Sequence, residues 1–287
     1  MIVPVGRVLI EVDVAMSEAN RIGDWRVAIP RELERIIGGA VWERDTMGCS
    51  SSAVYKLRGI STGGNAYLKV QRRTDFENLR HEKEILHWLS GHLLVPQVLR
   101  FIECDEMQYL LVTEIPGLNC VDCMSERDLE EVVRMFAGGL RMIHSLDIPE
   151  CPFDRRLDVV LGEALDRVEA GVVDEADLEP ENTGRAARDI YDELVATKPL
   201  EEDLVFTHGD YCLPNVIVSD SGISGFVDWG RAGVADRYQD LALAARSLKH
   251  NAGPRGGEMA ALFFHEYGVE DVDVAKVQYY ILLDELY

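Results

Sequence analysis

Three oxygen-bearing side chains, Asp210, Asn215 and Asp228, sit in two short motifs whose spacing restricts how the surrounding chain can run. The motifs are His208-Gly209-Asp210-Tyr211-Cys212-Leu213-Pro214-Asn215 and Val227-Asp228-Trp229-Gly230. Three such groups at this spacing can converge on one metal–phosphate cluster. In phosphoryl transfer the first Asp receives the attacking hydroxyl's proton, while the Asn and the second Asp hold magnesium on the nucleotide phosphates. That reaction asks little covalent work of a protein, because positioning and charge neutralisation dominate. The combined register carries the inference. His-Gly-Asp alone would be satisfied by a turn with a buried His and a capping Asp.

Gly209 separates the chain from protein kinases, which carry an Arg before the catalytic Asp to pair with a phosphorylated activation loop. A glycine cannot read a phosphate by charge, so a constitutively assembled site without a phosphorylation switch is expected. Trp229 fills the place of the mobile Phe of protein kinases. Upstream, Lys69 ends a predicted strand and Glu82 falls in the helix that follows. A strand Lys held by a helix Glu aims an ammonium at the α- and β-phosphates; Glu84 competes for the same role. There is no GxGxxG. Gly48-Cys49-Ser50-Ser51-Ser52 stands at the hairpin position instead, where the N–H groups of a tight turn can form an anion nest.

The chain around these motifs reads as two halves. Ala53–Leu57 and Ala66–Val70 alternate like strands, joined through Thr62-Gly63-Gly64-Asn65. Phe76, Leu79, Ile85, Leu86 and Leu89 recur at helical spacing, and further strands are predicted at Gln97–Glu103 and Tyr109–Glu114. Pro116-Gly117 is a candidate hinge. Beyond it the periodicity is helical. Leu129, Val132, Val133, Phe136, Leu140 and Ile143 share one face; Leu157, Leu161, Leu165 and Val168 share another. Further helices are marked by Leu241 to Leu248 and by Val277 to Leu286.

The 287 residues suffice for two lobes and carry 51 acidic against 29 basic side chains, a formal charge of −22. Such a surface repels nucleic acid and anionic membrane and attracts polycations. No apolar run approaches the ~20 residues that cross a bilayer, and the N-terminus is a poor secretory signal, so a cytoplasmic location is expected. Six scattered cysteines, at 49, 104, 120, 123, 151 and 212, read as reduced thiols.

With these features in hand, the chain resembles the aminoglycoside 3′-phosphotransferases, kanamycin-type kinases of the protein-kinase-like superfamily, from about Trp25 to its last residue. The likeness runs through Val54-Tyr55-Lys56-Leu57, Tyr67-Leu68-Lys69, His81-Glu82-Lys83-Glu84, His144-Ser145-Leu146-Asp147-Ile148, the two motifs above and Ala235-Asp236-Arg237-Tyr238-Gln239-Asp240. The terminal Leu283-Asp284-Glu285-Leu286-Tyr287 narrows it, since His-Gly-Asp with Asn also occurs in choline, fructosamine and homoserine kinases.

The resemblance implies an α+β, bilobal protein-kinase-like fold: an N-terminal antiparallel sheet lobe with one helix and a mainly helical C-terminal lobe. It implies an extension at 1–24, a nucleotide-binding lobe at 25–115, and a catalytic and aminoglycoside-binding lobe at 116–287. The implied activity is ATP- and Mg2+-dependent phosphorylation of a cationic aminoglycoside, giving antibiotic resistance. Asp210 would be the catalytic base, Asn215 and Asp228 the metal ligands, and Lys69 with Glu82 the phosphate clamp. Tyr67 would lie near adenine, the Thr113–Ile115 backbone would bond its edge, and Cys49 and Ser50 would cover the β-phosphate. Substrate ammonium groups would meet Asp177 and Glu179 in an acidic loop, then Arg231, Asp284, Glu285 and the Tyr287 carboxylate. Asp236 and Asp240 are expected as braces of the catalytic loop. A metabolic choline- or ketosamine-type kinase, or a nucleotide-binding pseudokinase scaffold, remains open at this level.

Overall fold

The computed structural model describes residues 29–45 and 52–287; Cys49, Ser50 and the 1–24 segment lie outside the described residues. The chain divides into two compact units, one reaching to Arg73 and including Val98–Glu114, the other formed by Thr74–Gln97 and Ile115–Tyr287.

In the first unit α1 (Arg31–Ile37) precedes β1 (Val41–Asp45), β2 (Ala53–Arg58) and β3 (Asn65–Arg72). The alternating strands pair as their sequence predicts, through a turn in which Gly63 and Gly64 take φ of +89° and +82°. A side chain would be strained there. After the chain has passed through the other unit, two further strands complete an antiparallel sheet in the order β1-β2-β3-β5-β4. They are β4 (Val98–Cys104) and β5 (Met107–Thr113). Leu57, Ala66, Leu68 and Leu111, all without accessible surface, pack against Leu33 and Ile37 of α1 to make the core of this unit.

The second unit is mainly helical. Its first helix, α2 (Leu79–Leu89), starts three residues later than the apolar periodicity suggests. Asn78 explains the start: its side chain accepts from the Arg80 N–H and caps the first turn. Phe76 stays outside the helix, under the Arg167 guanidinium. Then come β6 (Leu118–Asn119), α3 (Cys120–Cys123), α4 (Leu129–His144), α5 (Leu157–Ala170) and α6 (Ala187–Ala196). The His208–Asn215 segment, predicted from the sequence as the catalytic segment, follows between β7 (Leu204–Thr207) and the hairpin of β8 (Val216–Ser219) and β9 (Gly222–Phe226). β10 (Gly233–Asp236) returns antiparallel to β7. The unit ends in α7 (Tyr238–Asn251), α8 (Gly256–Tyr267) and α9 (Val274–Asp284).

α7 packs against both α8 and α9, which explains why Leu241 to Ala245 and Leu248 are all buried. α4 presents the predicted stripe inward, with Val132, Val133, Phe136, Leu140 and Ile143 fully buried. Among the described residues no helix is long and apolar enough to cross a membrane.

Gly139 marks where α4 touches the catalytic segment. A Cβ there would stand 2.7 Å from the Tyr211 hydroxyl and 3.0 Å from both Ile223 and Phe226. Tyr211 cannot easily retreat, because it is fully buried, donates to the Phe136 carbonyl at 2.7 Å and stacks on the Phe136 ring. Helix propensity favours Ala over Gly by about 1 kcal/mol, but overpacking a closed core costs about 1–3 kcal/mol. Packing wins. Gly139→Ala is expected to lower the thermal midpoint, whereas Gly162→Ala, with open space at its Cβ on α5, is expected to raise it or leave it unchanged.

Candidate active site

The catalytic segment is a tight turn because its backbone is held from below. Asp240, in the first turn of α7 and without accessible surface, accepts from the His208 N–H at 2.7 Å and the Gly209 N–H at 2.8 Å. Gly209 has φ +83°, and a Cβ on it would collide with the Arg231 carbonyl. The position that carries Arg in protein kinases therefore excludes any side chain here. His208 is buried, faces the Trp229 ring at 4.4 Å and reaches the Val227 carbonyl at 3.0 Å through Nε2. The two motifs are thus tied together.

Asp210, Asn215 and Asp228 are brought to one place. Asn215 Nδ2 donates to the Asp210 carbonyl at 2.9 Å and to its carboxylate at 3.1 Å. With the amide hydrogens engaged there, Oδ1 is the atom that Asn215 offers as a ligand. The Val227 N–H donates to the Asn215 carbonyl at 3.0 Å, which sets Asp228 beside it at φ +66°, a left-handed conformation rare for a residue other than Gly. One amide oxygen and one carboxylate make a hard donor set that suits magnesium. Asp210 is pushed up to about 7: burial contributes most, and the negative charges of Asp284 and Asp228 add to it. Arg231 and the Asn215 hydrogen bond pull the other way.

Around this core lies a ring of opposite charges. Arg231 meets Asp284 at 2.6 Å, and Arg246 of α7 meets the other oxygen of Asp284 at 2.5 Å. Burial disfavours the charge of Arg231, but Asp284, Asp210 and Asp228 outweigh it and raise its pKa. Arg246 also approaches Glu179 at 3.7 Å, with His250 at 3.5 Å on the second Glu179 oxygen. Glu285 accepts from the Glu179 N–H at 2.9 Å and the Asn182 amide at 2.5 Å. Tyr287 donates its hydroxyl to the Val160 carbonyl at 2.6 Å, and its ring lies between 5.3 and 5.9 Å from the guanidiniums of Arg231, Arg167 and Arg155.

The acids expected as open ammonium ligands therefore differ among themselves. Asp284 and Glu285 already hold internal partners, Glu179 is shared with Arg246 and His250, and Asp177 stands exposed on the turn. Arg246 was not singled out from the sequence, since an Arg in a helix reads as part of a solvated face. Only the fold reveals that Asp284 is its partner.

The remaining predicted residues are placed as follows. Lys69 sits mid-sheet in β3, opposite Val54 and Leu110. Tyr67, in the same strand, lies under the Lys56 ammonium, which pairs with Glu114 at 2.6 Å. Thr113 ends β5, and Ile115 opens the second stretch of the helical unit. Glu82 is a buried carboxylate on α2, in a different compact unit from Lys69. Asp236 and Asp240 are both fully buried braces, Asp236 holding the Tyr238 N–H and Lys276.

An Asp on a tight turn, an Asn bonded to it and a second Asp just past the β8–β9 hairpin are the set expected of a kinase-type phosphotransferase. Comparison with known proteins agrees. The model of the phosphotransferase enzyme family matches residues 44–278. An aminoglycoside 3′-phosphotransferase of Niallia circulans is 40% identical over 272 residues, covering 95% of this chain and 100% of that protein. The crystal structure of a type VIII aminoglycoside-3′-phosphotransferase superposes with a TM-score of 0.77 at 34% identity, over 87% of this chain and 94% of that one. An aminoglycoside phosphotransferase of Streptomyces rimosus, solved with ADP and streptomycin, gives 0.70 at 26%, over 85% and 92%. The chain belongs to the phosphotransferase enzyme family, among the aminoglycoside 3′-phosphotransferases, and has their α+β, protein-kinase-like fold.

Glu285 is the link between the C-terminus and the acidic loop, so Glu285→Gln tests that link. Losing the charge weakens two hydrogen bonds, each worth about 1.5–3 kcal/mol when charged. Amide exchange at Glu179 is expected to accelerate at least tenfold with little change in thermal midpoint. Unchanged exchange would show that the loop is held by other contacts.

Proposed function

We propose that the protein transfers the γ-phosphoryl group of ATP to the 3′-hydroxyl of an aminoglycoside antibiotic in the cytoplasm, using magnesium and conferring resistance. The observation that carries this reading is the gathering of Asp210, Asn215 and Asp228 beside the acidic C-terminal segment, in a chain similar to named aminoglycoside 3′-phosphotransferases along nearly its whole length.

Residues 25–115 serve as the nucleotide-binding lobe. Lys69 and Glu82 engage the phosphates, Tyr67 and the Thr113–Ile115 backbone the adenine, and Cys49 and Ser50 the β-phosphate. Residues 116–287 bind the acceptor and carry the chemistry. Asn215 Oδ1 and Asp228 would hold the metal, which when bound would neutralise the charge that builds on the phosphate oxygens. Asp210 orients the acceptor hydroxyl. As that oxygen forms its bond to the γ-phosphorus, the bond to the bridging oxygen breaks, ADP departs and the hydroxyl proton passes to Asp210. The transition state is loose, so this proton acceptor contributes about 10²–10⁴-fold, with positioning supplying the rest.

Asp177, Glu179, Asp284, Glu285 and the Tyr287 carboxylate receive the ammonium groups, and Arg231 shapes the same wall. Each partly exposed ammonium–carboxylate pair is worth about 0.2–1 kcal/mol and weakens with salt, so several must act together. A choline-type kinase needs no such acidic terminal segment.

The purified protein with ATP, magnesium and kanamycin is expected to release ADP, and an aminoglycoside lacking the 3′-hydroxyl is expected to give none. Release at the background rate with every aminoglycoside tried would refute the assignment. Asp210→Asn is expected to lower kcat by about 10²–10⁴-fold while nucleotide binding, read by calorimetry, stays near the parent value.

A further inference from the structure

Beneath the catalytic segment, outside the residues that meet nucleotide or acceptor, a chain of hydrogen bonds joins the ends of three helices. His144 is the last residue of α4, Asp240 lies in the first turn of α7, and Tyr267 is the last residue of α8. His144 Nε2 stands 3.0 Å from the Asp240 oxygen that also accepts from the His208 N–H. Its Nδ1 stands 2.7 Å from the Tyr267 hydroxyl. Arg237, the residue immediately before α7, donates to that hydroxyl at 3.2 Å and forms an ion pair with Asp203 at 2.6 Å, just before β7.

Donor bookkeeping gives this chain a direction. A guanidinium can only donate, so the phenol oxygen accepts from Arg237 and has its own hydrogen left to place. Burial raises the Tyr267 pKa, with Arg237 partly opposing, so the phenol keeps that hydrogen. It points to Nδ1, which accepts, and the imidazole hydrogen then sits on Nε2, facing Asp240. The fixed tautomer supplies the third donor to a carboxylate whose other two donors are the backbone N–H groups immediately before Asp210. Reversing the tautomer would set a lone pair against Asp240 and loosen its hold on both amides.

We infer that Tyr267 and His144 are positioning residues for phosphoryl transfer, acting through Asp240 to fix the His208–Gly209 backbone and hence the direction of Asp210. This rests on the phosphotransferase reading above for its kinetic consequence, but not for its structural one. Neither residue touches the reacting atoms.

Tyr267→Phe keeps the ring against His144 and Phe263 and removes only the hydroxyl. It is expected to lower kcat about tenfold, a typical cost of losing such an orienting partner, with KM for ATP and kanamycin and the thermal midpoint near the parent values. Amide exchange at His208 and Gly209 is expected to quicken by a similar factor. His144→Gln, which can still present an N–H to Asp240, is expected to recover much of the kcat lost in His144→Leu. Parent kcat and parent amide exchange in Tyr267→Phe would overturn the inference, as would equal losses in the Gln and Leu variants. Should the parent protein fail to phosphorylate any aminoglycoside, the functional assignment fails. The exchange at His208 and Gly209 then decides the positioning claim by itself.

Discussion

The carboxylate of Asp240 is the constraint from which the active site is built. A side chain with no contact with water must have its oxygens satisfied by the protein, and here the donors are the two backbone amides that precede Asp210 together with His144. Satisfying Asp240 and bending the chain at Gly209 are therefore one event. Glycine takes the positive φ of that bend without steric cost, and only a residue without a Cβ fits against the Arg231 carbonyl there. Asp228 carries a second such conformation at φ +66°. In a residue other than glycine that conformation costs of order 1–3 kcal/mol, so the contacts around Asp228 must over-determine it.

α7 supplies most of those contacts, spaced along the helix as the loop requires. Asp240 holds residues 208 and 209, and one helical turn or two further on, the Ser247 hydroxyl accepts from the Leu213 N–H at 3.0 Å. Between them Arg246 binds Asp284 near the C-terminus. One buried helix therefore sets both the direction of the phosphotransfer residues and the position of the acidic terminal segment. Its packing against α8 and α9 explains why Leu241 to Ala245 and Leu248 are buried, and why Asp240 and Ser247, polar but buried with them, are turned to the loop.

The reaction was legible in the sequence because its chemistry dictates residue type and spacing together. Asp210, Asn215 and Asp228 could be singled out without any alignment, and the fold brings them together. The sheet was legible because Ala53–Arg58 and Asn65–Arg72 alternate with period two, and α4 because its apolar stripe is unbroken. α6 and α8 were not anticipated. α6 is short, with four charged residues among its ten, and α8 opens on two glycines that resemble a loop. The electrostatic partners were also hidden. Nothing in Arg246 or His144 announces that its carboxylate partner lies elsewhere in the sequence; that pairing is a property of the fold.

The ring of charge bears on how a polycation would be selected. A carboxylate such as Asp284, with two guanidiniums at 2.5 and 2.6 Å and little exposure, is already neutralised. An incoming ammonium gains there only the difference between its own pairing and the one it weakens, and it must also shed water. A single ammonium therefore gains little. Several ammonium groups on one rigid scaffold gain more, because the entropy of binding is lost once while each group adds its increment at Asp177, Glu179, Glu285 or the terminus. Internal arginines would thus turn a generally acidic surface, attractive to any cation at long range, into a wall that favours the number and spacing of charges over charge alone.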